Sequence, residues 1–188
     1  LNTTTGAVVV ATPTVTTTYY VTGLDTNNCS DTDSITIVVN QLPVVSLTGD
    51  TALCAGDSVS LTVSGGTSYM WKPLNTTDSA VVVRPVNNTV YTAVVTNAAG
   101  CVDSANINVI VNPLPVAQYS VLPVCRNEPS VFTDASTGTI SDWSWNYGDG
   151  TNSSVQNPVH TYAACDSFAV QLIVTTAEGC KDSVTNTA

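Results

Sequence analysis

Six cysteines and a single histidine carry most of the reactive chemistry open to this 188-residue chain. His160 is the only imidazole, so any serine or cysteine nucleophile with a base would have to be built around it. The cysteines, Cys29, Cys54, Cys101, Cys125, Cys165 and Cys180, include no Cys-x-x-Cys pair. They point to disulfides in an oxidising compartment rather than to zinc. Asp25, Asp31 and Asp33 crowd around Cys29 but bring too few oxygen ligands for a calcium site. Glycoside cleavage needs paired carboxylates, and the two glutamates, Glu128 and Glu178, have no evident partner at a strand end. No catalytic constellation emerges. The chain is expected to be non-enzymatic, with no cofactor and no metal.

The elements that hold these residues repeat. Tyr91 to Val116, YTAVVTNAAGCVDSANINVIVNPLPV, recurs as YYVTGLDTNNCSDTDSITIVVNQLPV from Tyr19 at an offset of 72, and as VQLIVTTAEGCKDSVTNTA from Val170 at an offset of 79. LNTTTGAVVV at Leu1 likewise matches LNTTDSAVVV at Leu74. Self-similarity at this period marks tandem domains. The expected division is the back half of one repeat (1–42), a whole repeat (43–114) and a divergent third (115–188), as in a window cut from a longer protein.

Valine and threonine dominate, and β-branched side chains fit a pleated, half-buried surface while lowering helix propensity. In the second repeat, 44–48, 58–64 with its alternating Val59, Leu61 and Val63, the SYMW segment around Trp71, 80–84, 90–96 and 103–111 read as strands. Short antiparallel strands at this spacing, in about 72 residues, describe an immunoglobulin-like sandwich. The fold class is therefore all-β: tandem sandwiches in a head-to-tail rod, joined by short proline linkers at Pro43 and at Pro113 and Pro115. A net charge of −10 disfavours nucleic acid and anionic membranes, and no apolar run reaches bilayer length, so neither nucleic-acid binding nor membrane insertion is expected.

The third repeat carries WSWNYGDGT from Trp143 and QNPVHTY from Gln156. These segments resemble the PKD domain, whose signature is Trp-x-Phe-Gly-Asp-Gly with a later Asn-Pro-x-His-x-Tyr, here with Tyr147 at the phenylalanine position. The resemblance makes Trp143, Trp145, Tyr147, Gly148, Asp149, Gly150, His160 and Tyr162 a structural motif. At i, i+2 and i+4, Trp143, Trp145 and Tyr147 share a strand face and fill a small core. Asp149 is expected to hold a turn, and His160 to make a structural hydrogen bond.

Cys54 and Cys125 precede the second strand of their repeats, while Cys29, Cys101 and Cys180 follow the last hairpin turn. In an immunoglobulin-like sandwich these two places lie at opposite ends of a strand about 20 Å long, whereas a disulfide needs Cα atoms within about 7 Å. Two schemes stand open. Between repeats, Cys54 pairs with Cys180 and Cys125 with Cys165. Within repeats, Cys54 pairs with Cys101 and Cys125 with Cys180.

Repeats one and two resemble the immunoglobulin-like arrays beside PKD domains in large secreted surface proteins of the Bacteroidota, including gliding-motility adhesins exported by the type IX system. The resemblance implies an extracellular stalk in an adhesin or filament, its partners the neighbouring repeats of one long chain. An alternative is a carbohydrate- or cell-binding module, accessory to a secreted hydrolase, with Tyr69 and Tyr119 as the candidate surface aromatics. Asp-Ser or Asp-Thr followed by an apolar residue also resembles the O-glycosylation sequon of that group. It marks Ser34, Thr51, Ser58, Ser79, Ser104 and Ser183 as candidate sugar acceptors.

Overall fold

The structure, a computed structural model, describes residues 5–122, 128–164 and 166–187. Cys125 and Cys165, and with them the expected Cys125–Cys165 bond, lie outside the described residues. The chain divides into two compact units, one of Leu1–Leu47, Thr62–Ser79 and Thr92–Asn106, the other of Thr48–Leu61, Ala80–Tyr91 and Ile107–Ala188. Every regular element among the described residues is a strand, as the Val/Thr-rich composition predicts.

The first repeat contributes β1 (Thr17–Leu24) and β2 (Ser30–Ile37), an antiparallel hairpin with Tyr19 opposite Ile35 and Val21 opposite Asp33. Across its other face threonine hydroxyls bond in pairs, Thr18 with Thr36 at 2.8 Å and Thr22 with Thr32 at 3.0 Å.

The second repeat supplies β3 (Ser46–Thr48), β4 (Ala52–Cys54), β5 (Val59–Ser64), β6 (Ser68–Lys72), β7 (Ala80–Val83), β8 (Thr89–Thr96) and β9 (Val102–Asn112). Their sheets run β3-β5-β7 and β4-β9-β8-β6. In β5 buried and exposed residues alternate strictly, and in β8 buried Tyr91, Ala93 and Val95 alternate with half-buried neighbours, the signature of strands with one face on a core. Trp71 on β6 is fully buried, and its indole N–H donates to the Asp78 carbonyl at 2.8 Å. β6 lies along the inner part of β8 with Trp71 opposite Ala93. This approach needs Gly66, because a Cβ there would sit 2.4 Å from the Val95 side chain and 2.5 Å from the Thr96 carbonyl oxygen.

One pairing departs from the antiparallel expectation. β3 falls within the expected first strand at 44–48 and joins one sheet, but β4, which lies outside every expected strand, joins the other sheet and runs parallel to the end of β9, with Cys54 opposite Asn112. Between β3 and β4 stands Gly49, whose backbone lies against Ser60 and Leu61 so closely that a Cβ would overlap both. Thr51 and Asn112 carbonyls then accept from Ile110 and Ala55 amides at 2.8 Å, closing the parallel ladder.

The third repeat forms β10 (Tyr119–Val121), β11 (Pro129–Asp134), β12 (Ile140–Asn146), β13 (Asn152–Ser153), β14 (Val159–Thr161), β15 (Ala169–Thr176) and β16 (Lys181–Thr187). The sheets are β10-β11-β14 and β13-β12-β15-β16. Between them lie Tyr119, Phe132, Trp145, Tyr147, Val170, Leu172 and Val174. Tyr119 meets Trp145 edge-on at 5.1 Å between ring centroids, within the range where the ring quadrupoles attract.

Candidate functional site

Three hairpin turns share one local design. In the first, the side-chain oxygen of Asp25 accepts from the amides of Asn27 and Cys29 at 2.7 and 2.8 Å. In the second, Asn97 does the same for Ala99 and Cys101, both at 3.0 Å. In the third, the Thr176 hydroxyl accepts from the Cys180 amide at 3.3 Å. Each turn closes with a backbone pair, 3.0 Å for Asp25 N to Cys29 O, 3.0 Å for Asn97 N to Cys101 O and 2.9 Å for Thr176 N to Cys180 O. Each has a left-handed residue just before the cysteine, Asn28, Gly100 or Gly179, with φ of 62°, 79° and 85°. Asp, Asn and Thr are interchangeable here because each offers a short oxygen acceptor within reach of amides two to four residues on. The turn therefore delivers a cysteine to the same place in every repeat.

At one of these places the cysteine is bonded. Cys180 is joined to Cys54 with a Cα separation of 5.6 Å, across 126 residues of sequence. The pairing Cys54 with Cys101 and Cys125 with Cys180 is therefore not the one formed: both of its bonds need a sulfur already engaged, and Cys101 is a free thiol. The physical reason is β4, which carries Cys54 to the end of β9 rather than back toward the hairpin turn of its own repeat. Cys29 is also free, and exposed.

The PKD-like motif residues converge as a packed cluster. Trp145 and Tyr147 are buried, while Trp143 is half-buried at the core edge and donates its indole N–H to Asp134 at 2.7 Å. Gly148 takes φ of 79° with Ala169 backbone so close that a Cβ would lie 2.8 Å from its oxygen. Asp149 accepts from the Thr151 amide at 3.0 Å and the Thr151 hydroxyl at 2.6 Å, and its other oxygen meets His160 Nε2 at 2.7 Å. The imidazole stacks on Tyr147 at 4.1 Å and meets Tyr162 edge-on at 4.5 Å. Tyr162 donates its hydroxyl to the Tyr147 carbonyl at 3.2 Å and stacks on Phe168.

Electrostatics follow from these contacts. Burial works to raise the Asp149 carboxyl, but the hydrogen bonds from Thr151 and His160 outweigh it and hold the group below the usual carboxylate range. Asp134 behaves alike: burial is opposed by bonds from Ser136, Gln156 and Trp143, and the net shift is downward. Tyr162 is pushed up to about 12, chiefly by burial and then by the Asp149 charge and its tyrosine neighbours. An Asp–His pair is half of a hydrolytic relay, yet the imidazole here is clasped between two tyrosine rings and carries no hydroxyl or thiol partner among the described residues. The arrangement pins a turn to a core.

Other expectations resolve differently. Tyr119 is not a surface aromatic: it is buried, and its hydroxyl donates to the Val170 carbonyl at 2.9 Å because β10 faces inward onto Phe132 and Trp145. Tyr69 is half-buried, bonded to the Gly66 carbonyl at 2.8 Å. Asp31 and Asp33 bond the amides of Thr32 and Ser34, and no group of three ligating side chains occurs among the described residues. Ser34, Thr51, Ser58, Ser79, Ser104 and Ser183 are all exposed. Two positions escaped the sequence reading. Asp134 gathers the bonds from Trp143, Gln156 and Ser136, and its only sequence signal is the Asp-x-Ser turn pattern. Asp182 accepts from the Ala117 amide at 2.9 Å, a contact over 65 residues that no local pattern announces.

Comparison with known proteins places a class on the last two fifths of the chain. Residues 113–188 match the family model of the PKD domain, so the resemblance carried by WSWNYGDGT is borne out over that stretch. Among solved structures, the chain is similar to the PKD1 domain of Vibrio anguillarum Epp (25% identity, TM-score 0.38, covering 41% of this chain and 93% of that one). It is similar also to the PKD1 domain of the Vibrio cholerae metalloprotease PrtV (27%, 0.37, 40% and 94%). A 1.5-MDa bacterial ice-binding adhesin aligns over 80% of this chain and 65% of its own, at 15% identity and TM-score 0.43. No curated protein matches.

Proposed function

We propose that the chain is a structural stalk or spacer segment of a large secreted adhesin or filament, which presents a distal binding region at the surface of a Bacteroidota cell. In this reading the type IX system exports it, and it serves adhesion or gliding motility. Residues 1–42 are the back half of one sandwich repeat, and 43–114 and 115–188 are the sandwich domains that follow it. Load passes along hydrogen-bonded strands, and its neighbours along the chain are its principal partners. The observation that carries the reading is the Cys54–Cys180 bond, which ties the second repeat to the PKD segment and limits how far the two can be drawn apart. A disulfide also fits an oxidising, extracellular setting. The PKD match adds support, since it fits an extracellular adhesion-type module, and the cluster around His160 pins a turn rather than positioning a nucleophile.

A second reading, a carbohydrate- or cell-binding module, is favoured by Tyr20, a ring 74% exposed on the β1–β2 hairpin. Binding of the oxidised chain to polysaccharide arrays and to cells, measured into the high micromolar range, decides between them. The stalk reading expects none. Saturable binding that is lost in Tyr20→Ala overturns it.

A further inference from the structure

The hairpin β1–β2 is the same element as β8–β9 one repeat earlier, but it stands bare. Val21 is 65% exposed where its counterpart Ala93 is wholly buried, and Ile35 is 65% exposed where Ile107 is 9%. Val8, from the matching AVVV segment, is 81% exposed where Val81 is 9%. The same residue pattern that makes a core face in the second repeat is left in water in the first, at about 25 cal/mol for each Å² of apolar surface.

The second repeat also shows what belongs on the two edges. Ser68–Lys72 lies along Thr92–Thr96, and Ala52–Cys54 lies parallel to Ile110–Asn112. One repeat earlier the corresponding edges are Tyr20–Leu24 and Val38–Asn40. Among the described residues the sheet there has two strands, so neither edge carries a third.

The free thiol of Cys101 sits at the end of that second edge, its sulfur 3.9 Å from the Asn40 carbonyl oxygen, with the Asn97 amide donating to the next carbonyl, Gln41, at 2.8 Å. Asn40 is the counterpart of Asn112, the residue opposite Cys54, and Cys101 is the counterpart of Cys180, to which Cys54 is bonded.

We propose that the β1–β2 hairpin is a docking site for a half-repeat polypeptide segment of the chemistry found at residues 43–73. Such a segment has a short strand ending in cysteine, an alternating apolar strand and a tryptophan strand. The cysteine lies opposite Asn40 and bonds to Cys101. The covalent step joins two thiols: one S–S bond forms, two S–H bonds break, and the two electrons and two protons pass to a disulfide oxidant of the glutathione type, which is reduced to two thiols.

The test mixes the oxidised chain with a synthetic peptide of residues 43–73, whose one cysteine is Cys54, in a glutathione redox buffer. The expected result is a mixed disulfide mapped to Cys101 in preference to the exposed Cys29 by about tenfold or more, because docking raises the local thiol concentration. Amide exchange across residues 18–24 slows. Cys101→Ser in the chain removes the cross-link and keeps the protection, while Leu61→Asp in the peptide removes both. Equal labelling of Cys29 and Cys101, or no protection of β1, overturns the proposal. So does self-association of the chain through this hairpin that the peptide does not displace, which assigns the face to a second copy.

Discussion

Cys54 and Cys180 are bonded across 126 residues because two unrelated local devices bring them together. A short parallel strand presents one at the end of β9, and a four-residue hairpin turn presents the other. Neither device alone places a sulfur within reach of its partner.

The bond is expected to appear as a Cys54–Cys180 linked peptide in a non-reducing map. Cys54→Ser or Cys180→Ser lowers stability to urea by about 2–4 kcal/mol, as for other long-loop disulfides. Cys101→Ser changes it by less than about 0.5 kcal/mol, since its thiol is free. Urea unfolding curves with and without reductant make the comparison.

Trp145 is fully buried between the two sheets of the PKD segment. Trp145→Ala is expected to cost about 3–5 kcal/mol, and Tyr119→Ala to lose stability on a similar scale, since its ring packs on the same indole. Trp143→Ala, half-buried and bonded to Asp134, costs about 1–3 kcal/mol. Tyr20→Ala, exposed on the hairpin, stays within about 0.5 kcal/mol. Tryptophan fluorescence against denaturant reads all four.

Acid weakens the PKD segment through Asp149 and Asp134. Both carboxyls ionise more readily folded than unfolded. The unfolded chain therefore binds more protons, and the stability they add is present above the ordinary aspartate range and drains away as pH falls from about 4 through the lowered folded values. Asp149→Asn, which keeps an acceptor for Thr151, flattens this acid limb. Thermal melts from neutral to strongly acid pH check the slope, and an unchanged limb refutes the assignment.

Alkali acts through Tyr162. Its folded phenol titrates at about 12, above the unfolded value near 10, so the fold holds the proton more tightly. The contribution is whole below pH about 10 and is lost as pH rises toward 12. Tyr162→Phe lessens this alkaline loss and lowers the late phenolate absorbance, the remainder coming from Tyr91, Tyr119 and Tyr147, whose phenols burial also raises.

The six candidate acceptor hydroxyls are all exposed. Chain purified from its native host is expected to exceed the bare mass by whole sugar increments, reduced stepwise by Ser34→Ala, Ser79→Ala and Ser104→Ala. A native mass equal to that of the bare chain removes the glycosylation reading.

Much of this molecule is decided locally and was therefore legible. Alternating Val59, Leu61 and Val63, the i, i+2, i+4 aromatics and the recurrent turn before each hairpin cysteine act over a few residues, so composition and spacing determine strands, repeats, the PKD motif and the equivalence of Cys29, Cys101 and Cys180. Which sulfurs bond is a different kind of fact. It rests on β4 pairing in parallel with the end of β9, a register between segments remote in sequence rather than any pattern near Cys54. Burial is likewise tertiary. Tyr119 and Tyr20 are chemically alike and both lie on strands, yet one is packed on Trp145 and the other stands in water. Only the chain brought against each face decides between those outcomes, and that chain is remote in sequence.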